Sequence, residues 1–296
     1  MKIAIIGASG FIGNNLTKYL LLNTNHNIVA IIHNTLNLEI EGKFESRLIT
    51  IKADALNYNE MKDALKDVDV AYYLVHLMAN NKDDFSEKEV LAAEATSRAL
   101  KDAKVKRVIY LSGLGNDKEK LSKHLSSRHK TGEILRKYNN EVIELRASMI
   151  IGAGSISFEI VKDLVDKSPV IILPKWAKTK TQPIGLSDML LYLKESINIK
   201  ILNSEIIEIG GVDAMSYKEF IKKYAKFKNK NILVFCINIL SERTAGILLE
   251  YFTSKRQSCV GKCMISSFRN EMIVTNNKAQ EIFPGIIPLK IEESFI

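Results

Sequence analysis

The sequence has few cysteines and no long hydrophobic run, and both features restrict what the protein can be. It has three cysteines, and Cys259 and Cys263 are four positions apart with no histidine near them in the sequence, which is a poor zinc pattern. We therefore expect reduced thiols and no metal site, as is usual in the cytoplasm. No apolar run reaches the roughly 18 residues of a transmembrane candidate, because Asn238 interrupts the longest one, at residues 231–240. No basic leader precedes the first predicted strand, so we expect a cytoplasmic rather than a secreted protein.

The formal net charge of +8 raises the question of a nucleic-acid partner. The densest basic segment, residues 222–230, interleaves five lysines with Tyr224 and Phe227. At helical spacing the two aromatic residues and Ile221 form an apolar side, and the lysines form a solvated side. No nucleic-acid-binding motif accompanies this segment. We therefore predict an exposed helix and no nucleic-acid partner.

Short apolar runs alternate with helical patterns through the first half of the chain. The runs predicted as buried strands are residues 3–6, 28–32, 48–51, 70–75, 107–112 and 141–148. Some helical segments between them carry start signals; Ser86 and Glu89, for example, form a capping-box pair. Strict alternation of strand and helix predicts right-handed crossovers and a parallel sheet with helices on both faces. The predicted fold class is therefore α/β, with a Rossmann-type doubly wound parallel sheet.

Three glycines stand at three-residue intervals where the first predicted strand meets the first helix. Gly7 ends the strand and permits a sharp turn, Gly10 lets a backbone or ligand approach, and Gly13 lets the helix pack on the sheet. Such a turn directs a helix N-terminus, with free N–H groups and a positive dipole end, at a phosphate. The alternative is a glycine-rich turn without a ligand. The predicted dinucleotide-binding turn comprises Gly7, Ser9, Gly10, Phe11, Ile12 and Gly13.

The alternation of strand and helix changes after about residue 150. Residues 1–154 are predicted to form the nucleotide-binding domain, and residues 155–296 a smaller C-terminal α/β lobe with a substrate or regulatory role. Residues 205–211 are expected to return to the sheet as one more strand. Ser216 and Glu219 are expected to cap a further helix.

The glycine spacing, G-x-x-G-x-x-G, resembles that of the short-chain dehydrogenase/reductase superfamily. The runs "YYLVH", "YLSGLG", "HLSSR", "GSISFEIV", "PKW" and "QPI" resemble more closely the atypical NAD(P)H-binding members, and this likeness covers nearly the whole chain. The resemblance implies that Asp54 and Ala55 follow the third strand near the adenine. It also implies that Leu74, Val75 and His76 flank the cofactor at the tip of the fourth strand. Ser112, at the end of the fifth strand, takes the position of the superfamily's catalytic serine.

The segment after the second predicted strand bears on the choice between NAD and NADP. An NAD enzyme usually has an acid there for the ribose 2′-hydroxyl, but this sequence has His33 and Asn34, with no acid before Glu39. A 2′-phosphate is favoured by a donor or cation, such as His33 with Lys43 or Arg47 in reach. We therefore predict NADP(H) as the favoured cofactor, with NAD(H) possible. The alternative for His33 is an ordinary exposed loop residue.

The superfamily's usual Tyr-x-x-x-Lys pair is missing from the helix after the fifth strand. In that pair the tyrosine moves a proton, while the lysine lowers its pKa and holds the nicotinamide ribose. The matching segment "HLSSR" puts His124 at the tyrosine position and Arg128 at the lysine position. The resemblance implies that Ser112 polarises an acceptor oxygen, and Arg128 is expected to grip ribose hydroxyls. His124, with an ordinary imidazole pKa near 6.5, or solvent would supply the proton; the alternative is that His124 only fills space or forms a hydrogen bond.

Functions of different classes remain open on these patterns. The first is an NAD(P)H-dependent oxidoreductase that acts on a small carbonyl, enone or quinone-like substrate. The second is a catalytically inactive sensor of the redox state of the nicotinamide cofactor, and a third is an assembly role in a membrane-peripheral complex. The expected partners are a nicotinamide dinucleotide and an unidentified small-molecule substrate, and the patterns do not define an oligomeric state.

Overall fold

A computed structural model describes residues 1–33, 42–77, 85–238 and 242–295 of the chain. The strands within these ranges are β1 (Lys2–Ile6), β2 (Asn27–Ile32), β3 (Leu48–Lys52), β4 (Val70–Tyr73), β5 (Arg107–Gly113), β6 (Val142–Ala147), β7 (Ile150–Ile151), β8 (Val170–Pro174), β9 (Lys180–Thr181), β10 (Ile184–Gly185), β11 (Glu205–Ile209), β12 (Met215–Ser216) and β13 (Leu233–Ile237). The α-helices are α1 (Phe11–Asn23), α2 (Tyr58–Ala64), α3 (Phe85–Asp102), α4 (Lys123–Tyr138), α5 (Ile156–Lys167), α6 (Leu186–Glu195), α7 (Tyr217–Phe227), α8 (Glu242–Phe252), α9 (Lys255–Ile265) and α10 (Lys278–Ile282).

Seven strands form one sheet in the order β11-β6-β5-β4-β1-β2-β3. Every neighbouring pair in this sheet is parallel. The strand order reverses between β1 and β4, and ligands of such sheets bind outside the carboxyl ends of the strands at that reversal. The predicted Rossmann-type fold class is confirmed.

Both faces of the sheet are buried, as parallel strands require. Along β1, Ile3 and Ile5 point to one face and pack with α1, α6 and the segment after α10. Ala4 and Ile6 point to the other face, where α2, α3 and α4 cover them. All four side chains are at most 1% exposed, because successive strand residues alternate between two helical layers.

The C-terminal part of the chain contributes both to the sheet and to a separate core. β11 forms the edge of the sheet beside β6, with Ile207 opposite Leu145, so the returning strand expected at residues 205–211 is confirmed. The Ser216–Glu219 capping box at the start of α7 is also confirmed. α7 buries Ile221 as expected. The division of the chain at residue 154 stays a prediction.

An aromatic cluster forms the centre of this second core. Phe158 of α5 and Phe220 of α7 pack edge to face, with ring centroids 6.4 Å apart. Tyr224 and Phe295 complete the cluster against Phe158. The predicted apolar side of the basic helix therefore faces inward, although Phe227 is still 45% exposed.

The structure also bears on membrane-spanning helices and metal sites, within the described residues. None of their helices is long and apolar enough to cross a membrane. No group of three or more His, Cys, Asp or Glu side chains in these ranges has the arrangement of a metal site. Cys236, which is half-buried, is a free thiol.

Candidate cofactor and substrate site

The glycine turn lies at the reversal of the strand order, between β1 and α1. Gly7 has a φ of +89°, a conformation that residues with a Cβ atom rarely adopt. A Cβ atom on Gly13 would lie 2.3 Å from the carbonyl oxygen of Gly7, so α1 approaches the end of β1 too closely for any side chain there. Gly10 is less confined, since the nearest atom to its Cβ position is the same oxygen at 3.3 Å. Gly7 and Gly13 therefore set the turn, whereas the space beyond Gly10 stays open.

The N-terminus of α1 is ready to bind an anion. Its first backbone bond runs from the Asn14 N–H to the Gly10 carbonyl at 2.9 Å, and the N–H groups of Phe11, Ile12 and Gly13 have no backbone acceptor among the described residues. The N-cap residue, Gly10, supplies no side-chain acceptor, and the first turn contains no acid. Free N–H groups at the positive end of a helix dipole fit a pyrophosphate.

A cavity of about 560 Å³, here called the glycine-turn cleft, extends from this helix end. The predicted cofactor residues in its lining are Gly7, Ser9, Gly10, Phe11, Ile12, Gly13, His33, Asp54, Ala55, Leu74, Val75 and His76. The fold thus brings together residues that follow β1, β2, β3 and β4. Phe85 and Lys88 of α3 also line the cleft, and sequence reasoning missed both because nothing local marks the face of α3 that turns inward.

The outer end of the cleft contains a histidine beside an acid. The Nε2 atom of His33 lies 3.8 Å from an oxygen of Asp54, and both side chains are well exposed. The suggestion that Arg47 reaches a cofactor here is wrong, because its guanidinium donates to the carbonyls of Thr24 and Leu21 at the end of α1. Lys43 stacks on the Phe44 ring and does not line the cleft. Asn34 and Glu39 lie outside the described residues.

A second cavity of about 280 Å³, here called the inner cavity, continues from the cleft. The residues that line both spaces are Phe11, Ile12, Leu74 and His76. The three predicted catalytic residues, Ser112, His124 and Arg128, line the inner cavity. Ser112 and Arg128 are also predicted to contact the cofactor. They line the inner cavity and not the glycine-turn cleft.

Ser112 is a polar residue of the inner cavity that has no hydrogen-bond partner among the described residues. The residue is 6% exposed, and no other described group completes a hydrogen bond to its hydroxyl. Leaving a buried hydroxyl unpaired costs free energy. A ligand oxygen in the inner cavity would remove that cost.

His124 differs from the expected proton donor. Its Nδ1 atom lies 3.2 Å from the Ser267 hydroxyl, and its ring stacks on that of His76 with centroids 5.2 Å apart. Burial, with the neighbouring charges of His76 and Arg128, lowers the pKa of His124 to about 3. The expected pKa near 6.5 is therefore wrong. At neutral pH the His124 imidazole is uncharged and cannot act as a cationic proton donor.

Arg128 holds two strand ends together. Its guanidinium donates to the carbonyl of Val75 at 2.9 Å and to the carbonyl of Leu111, and it stacks on the Tyr110 ring at 4.9 Å. Arg128 is 7% exposed. A grip on ribose hydroxyls would have to use its remaining N–H groups, and this role stays a prediction.

A buried carboxylate behind His76 was not foreseen. Glu89 accepts a hydrogen bond from His76 Nδ1 at 2.9 Å through one oxygen and from the Ser127 hydroxyl at 2.5 Å through the other. The guanidinium of Arg128 lies 3.9 Å away. Burial favours the neutral acid, but these partners outweigh it and lower the pKa of Glu89 to about 2. The predicted Ser86–Glu89 capping box is therefore wrong, because the carboxylate bonds to the segment after β4 and to α4.

The fold and the glycine turn together define a Rossmann-type dinucleotide-binding protein. Residues 7–150 match a family model described as NAD(P)H-binding. The match covers just under half of the chain, and over these residues the protein is similar to that family, in line with the sequence resemblance to the atypical NAD(P)H-binding short-chain dehydrogenase/reductases.

Curated proteins similar to this chain include two plant reductases. Cinnamoyl-CoA reductase 1 of Petunia hybrida is 27% identical over 119 residues, which cover 38% of this chain and 35% of that protein. Cinnamoyl-CoA reductase 1 of Arabidopsis thaliana is 29% identical over 119 residues, with 38% and 34% covered. The match thus spans about a third of the length of these curated relatives.

Solved structures similar to this one cover nearly the whole chain. A triphenylmethane reductase from Citrobacter sp. has a TM-score of 0.78 at 14% identity, covering 100% of this chain and 98% of that one. An NADPH-dependent quinone oxidoreductase from Escherichia coli, complexed with NADPH, has a TM-score of 0.75 at 17% identity, with 99% and 98% covered. A nucleoside-diphosphate-sugar epimerase from Staphylococcus aureus has a TM-score of 0.76 at 14% identity, with 100% and 99% covered.

Proposed function

We propose that the protein is an NADPH-dependent reductase of a carbonyl, enone or quinone-like substrate. The observation that carries the proposal is the continuity of the two cavities. The glycine-turn cleft fits a dinucleotide, and at Leu74 and His76 it runs into an inner cavity that contains the unpaired hydroxyl of Ser112. A binding site with no second substrate has no need of such a cavity. We also propose a cytoplasmic location, on the sequence arguments alone.

The reduction needs a hydride, stabilisation of the acceptor oxygen and a proton. A bound nicotinamide supplies a hydride, and with one added proton the acceptor is reduced by two electrons while NADPH becomes NADP⁺. Ser112 donates a hydrogen bond to the acceptor oxygen and so stabilises the negative charge that develops there. Neither histidine of the inner cavity is a ready cationic proton donor, because burial lowers the pKa of His76 as it does that of His124. The proton therefore comes from solvent, which reaches the cavity at His76, whose side chain is 39% exposed.

The preference for NADPH over NADH rests on the donors of the cleft. His33 and Lys88 both line it, and each can donate to a phosphate. Asp54 opposes this preference, because it lies 3.8 Å from His33. Two structural neighbours are described with NADPH or NADP(H), namely the quinone oxidoreductase and a triphenylmethane reductase, whereas a neighbouring epimerase is described with NAD.

A redox sensor is the second candidate, and the state of the relay positions supports it. His124 has a pKa far below neutrality, and Arg128 is bound to the carbonyls of Val75 and Leu111. Neither residue copies the proton transfer of the tyrosine–lysine pair. In this interpretation the cofactor binds without turnover, and its redox state changes the conformation of the C-terminal lobe.

A cofactor titration followed by a reduction screen tests the proposal. Calorimetric titration with NADP⁺, NADPH, NAD⁺ and NADH is expected to show tightest binding of NADPH. Gly10→Val is expected to abolish this binding, because its methyl groups enter the open space of the cleft. Gly285→Val is the matched control, since no atom lies within 4 Å of its Cβ position.

The reduction screen then separates the two candidates. We expect NADPH oxidation with at least one carbonyl, enone or quinone. Equal NADPH affinity in Gly10→Val would contradict the cofactor site itself. Absence of any reduction, together with different hydrogen-exchange protection of residues 155–295 by NADPH and NADP⁺, would favour the sensor.

A further inference from the structure

A third cavity of about 240 Å³ lies within the C-terminal lobe. It is enclosed by α5, β8, α7 and the α8–α9 pair, and we call it the apolar chamber. The side chains that define it are Ile160, Leu164, Leu173, Trp176, Ile221 and Phe268. No assignment made above uses this space.

The apolar chamber and the inner cavity adjoin. Met149, Ser157, Tyr217 and Phe268 line both spaces. Tyr217 is 7% exposed, and its hydroxyl, like that of Ser112, completes no hydrogen bond among the described residues, although the Thr181 hydroxyl, also unpaired, is its neighbour. Two of the unpaired polar groups, Ser112 and Tyr217, therefore line the inner cavity, whereas the indole N–H of Trp176, which also has no partner among the described residues, lies in the lining of the chamber.

The lining of the apolar chamber excludes a charged ligand. Among the described residues that form it, no side chain is ionisable except the phenol of Tyr217, and burial raises the pKa of that phenol further above its ordinary value. An ionic group placed there would lose its hydration without gaining a counter-charge. Aliphatic and aromatic groups, in contrast, gain from leaving water.

The chamber also reaches the surface through apolar residues. Val170 and Ile172 of β8 line it and are 43% and 46% exposed. On the neighbouring strand β13, Leu233 and Phe235 are 59% and 51% exposed. Exposed apolar side chains of β8 and β13 therefore lie at the surface beside the chamber.

We propose that the apolar chamber binds the hydrocarbon part of the substrate. The acceptor is then an amphiphile, with its reducible head in the inner cavity beside Ser112 and Tyr217 and its apolar tail in the chamber. This inference rests on the reductase proposed above. Each methylene group moved from water into such a space tightens binding about four-fold, so the tail, more than the head, sets the affinity.

The single tryptophan of the chain gives a direct binding assay. Trp176 lines the chamber, so a quinone bound nearby will quench its fluorescence without any turnover. The probes are a methoxy-substituted benzoquinone without a side chain and the same quinone with a decyl chain. We expect the decyl compound to bind at least ten-fold more tightly.

Substitutions in α8 and α5 test where the hydrocarbon tail binds. Ala245 lines the chamber and is half-buried, so Ala245→Phe fills the space and is expected to weaken decyl-quinone binding at least ten-fold. Binding of the quinone without a side chain should stay within two-fold. Ile247→Phe is the matched control, because Ile247 is 57% exposed on the same helix and does not line the chamber. Ile160→Gln, which keeps the side-chain size but adds an amide, should also weaken the decyl compound selectively.

The results distinguish this inference from the reductase itself. Equal affinity for the two quinones, or tail-dependent binding that neither Ala245→Phe nor Ile160→Gln reduces, overturns the chamber as the tail site. Reduction of both quinones with the same kcat/KM would overturn the inference and leave the reductase standing. Tail-dependent binding that both substitutions weaken, without NADPH oxidation by any quinone, would support the chamber and refute the reductase. NADPH titration of each variant verifies that the fold is intact.

Discussion

Replacement of Glu89 by glutamine tests the buried network behind the inner cavity. The Glu89 side chain is 3% exposed and its pKa is lowered from 4.5 to about 2. The interval between these values corresponds to about 3 kcal/mol at about 1.36 kcal/mol per pKa unit. Because glutamine resembles the protonated acid in size and lacks the charge, Glu89→Gln should lower the free energy of unfolding by about this amount at pH 7.

The pH dependence gives the sharper form of this prediction. The folded-state pKa of Glu89 is depressed, so its stabilisation is fully present above pH 4.5 and is lost as the pH falls towards 2. The difference between wild type and Glu89→Gln should therefore be constant from pH 7 to about pH 5 and shrink steadily below that. Urea unfolding followed by circular dichroism at several pH values measures this difference.

The same helix provides a matched control for Glu89→Gln. Glu87 is exposed on α3, so Glu87→Gln should change the free energy of unfolding by less than about 0.5 kcal/mol at any pH. If Glu89→Gln destabilises by the same amount at pH 3 as at pH 7, the carboxylate is not charged within this network. The hydrogen bonds drawn from His76 and Ser127 would then need another explanation.

Three further predictions concern the turn, the cofactor preference and the relay. Gly13→Ala should lower the free energy of unfolding by about 2 kcal/mol or more, because its Cβ atom would lie 2.3 Å from a carbonyl oxygen; Gly10→Ala should cost much less, and thermal unfolding of the two variants will show whether this order holds. His33→Asp should shift the ratio of NADPH to NADH affinities several-fold towards NADH, since a surface charge pair is worth about 1 kcal/mol or somewhat more; an unchanged ratio in calorimetry would mean that residue 33 does not face the ribose. His124→Ala should leave the pH profile of turnover between pH 6 and 8 unaltered, because the pKa of His124 is about 3; loss in the variant of a titration near pH 6.5 would restore His124 as the proton donor.

Local patterns in the sequence were enough to predict the sheet and the glycine turn. The buried strands follow from short-range periodicity, because a residue and its neighbours two positions away share one face of a strand. The turn follows from the spacing of Gly7, Gly10 and Gly13, which acts within a single strand–helix junction. For the same reason the returning strand at 205–211 and the Ser216–Glu219 cap were predicted correctly.

Local patterns failed where a side chain finds its partner through the tertiary fold. Ser86 and Glu89 have the spacing of a capping box, but the Glu89 carboxylate is drawn to His76 and Ser127 on elements far along the chain. Arg47 precedes β3 in the sequence, yet it bonds to the end of α1. The positive charge of Arg47 did not indicate that its partners would be backbone carbonyls at the end of α1.

By itself, the sequence determined the fold class and the place where a dinucleotide's phosphates fit. It also supplied Ser112 and His124 as candidate catalytic groups, by resemblance alone. Tertiary structure decided that Ser112 is buried without a partner, that the pKa of His124 falls to about 3, and that an apolar chamber adjoins the inner cavity. The physical reason is that hydrogen-bonding periodicity acts over a few residues, whereas desolvation and enclosure depend on all the segments that meet at one point. Met149, Tyr217 and Phe268 meet at the chamber from widely separated parts of the chain, and no pattern within a short window encodes that meeting.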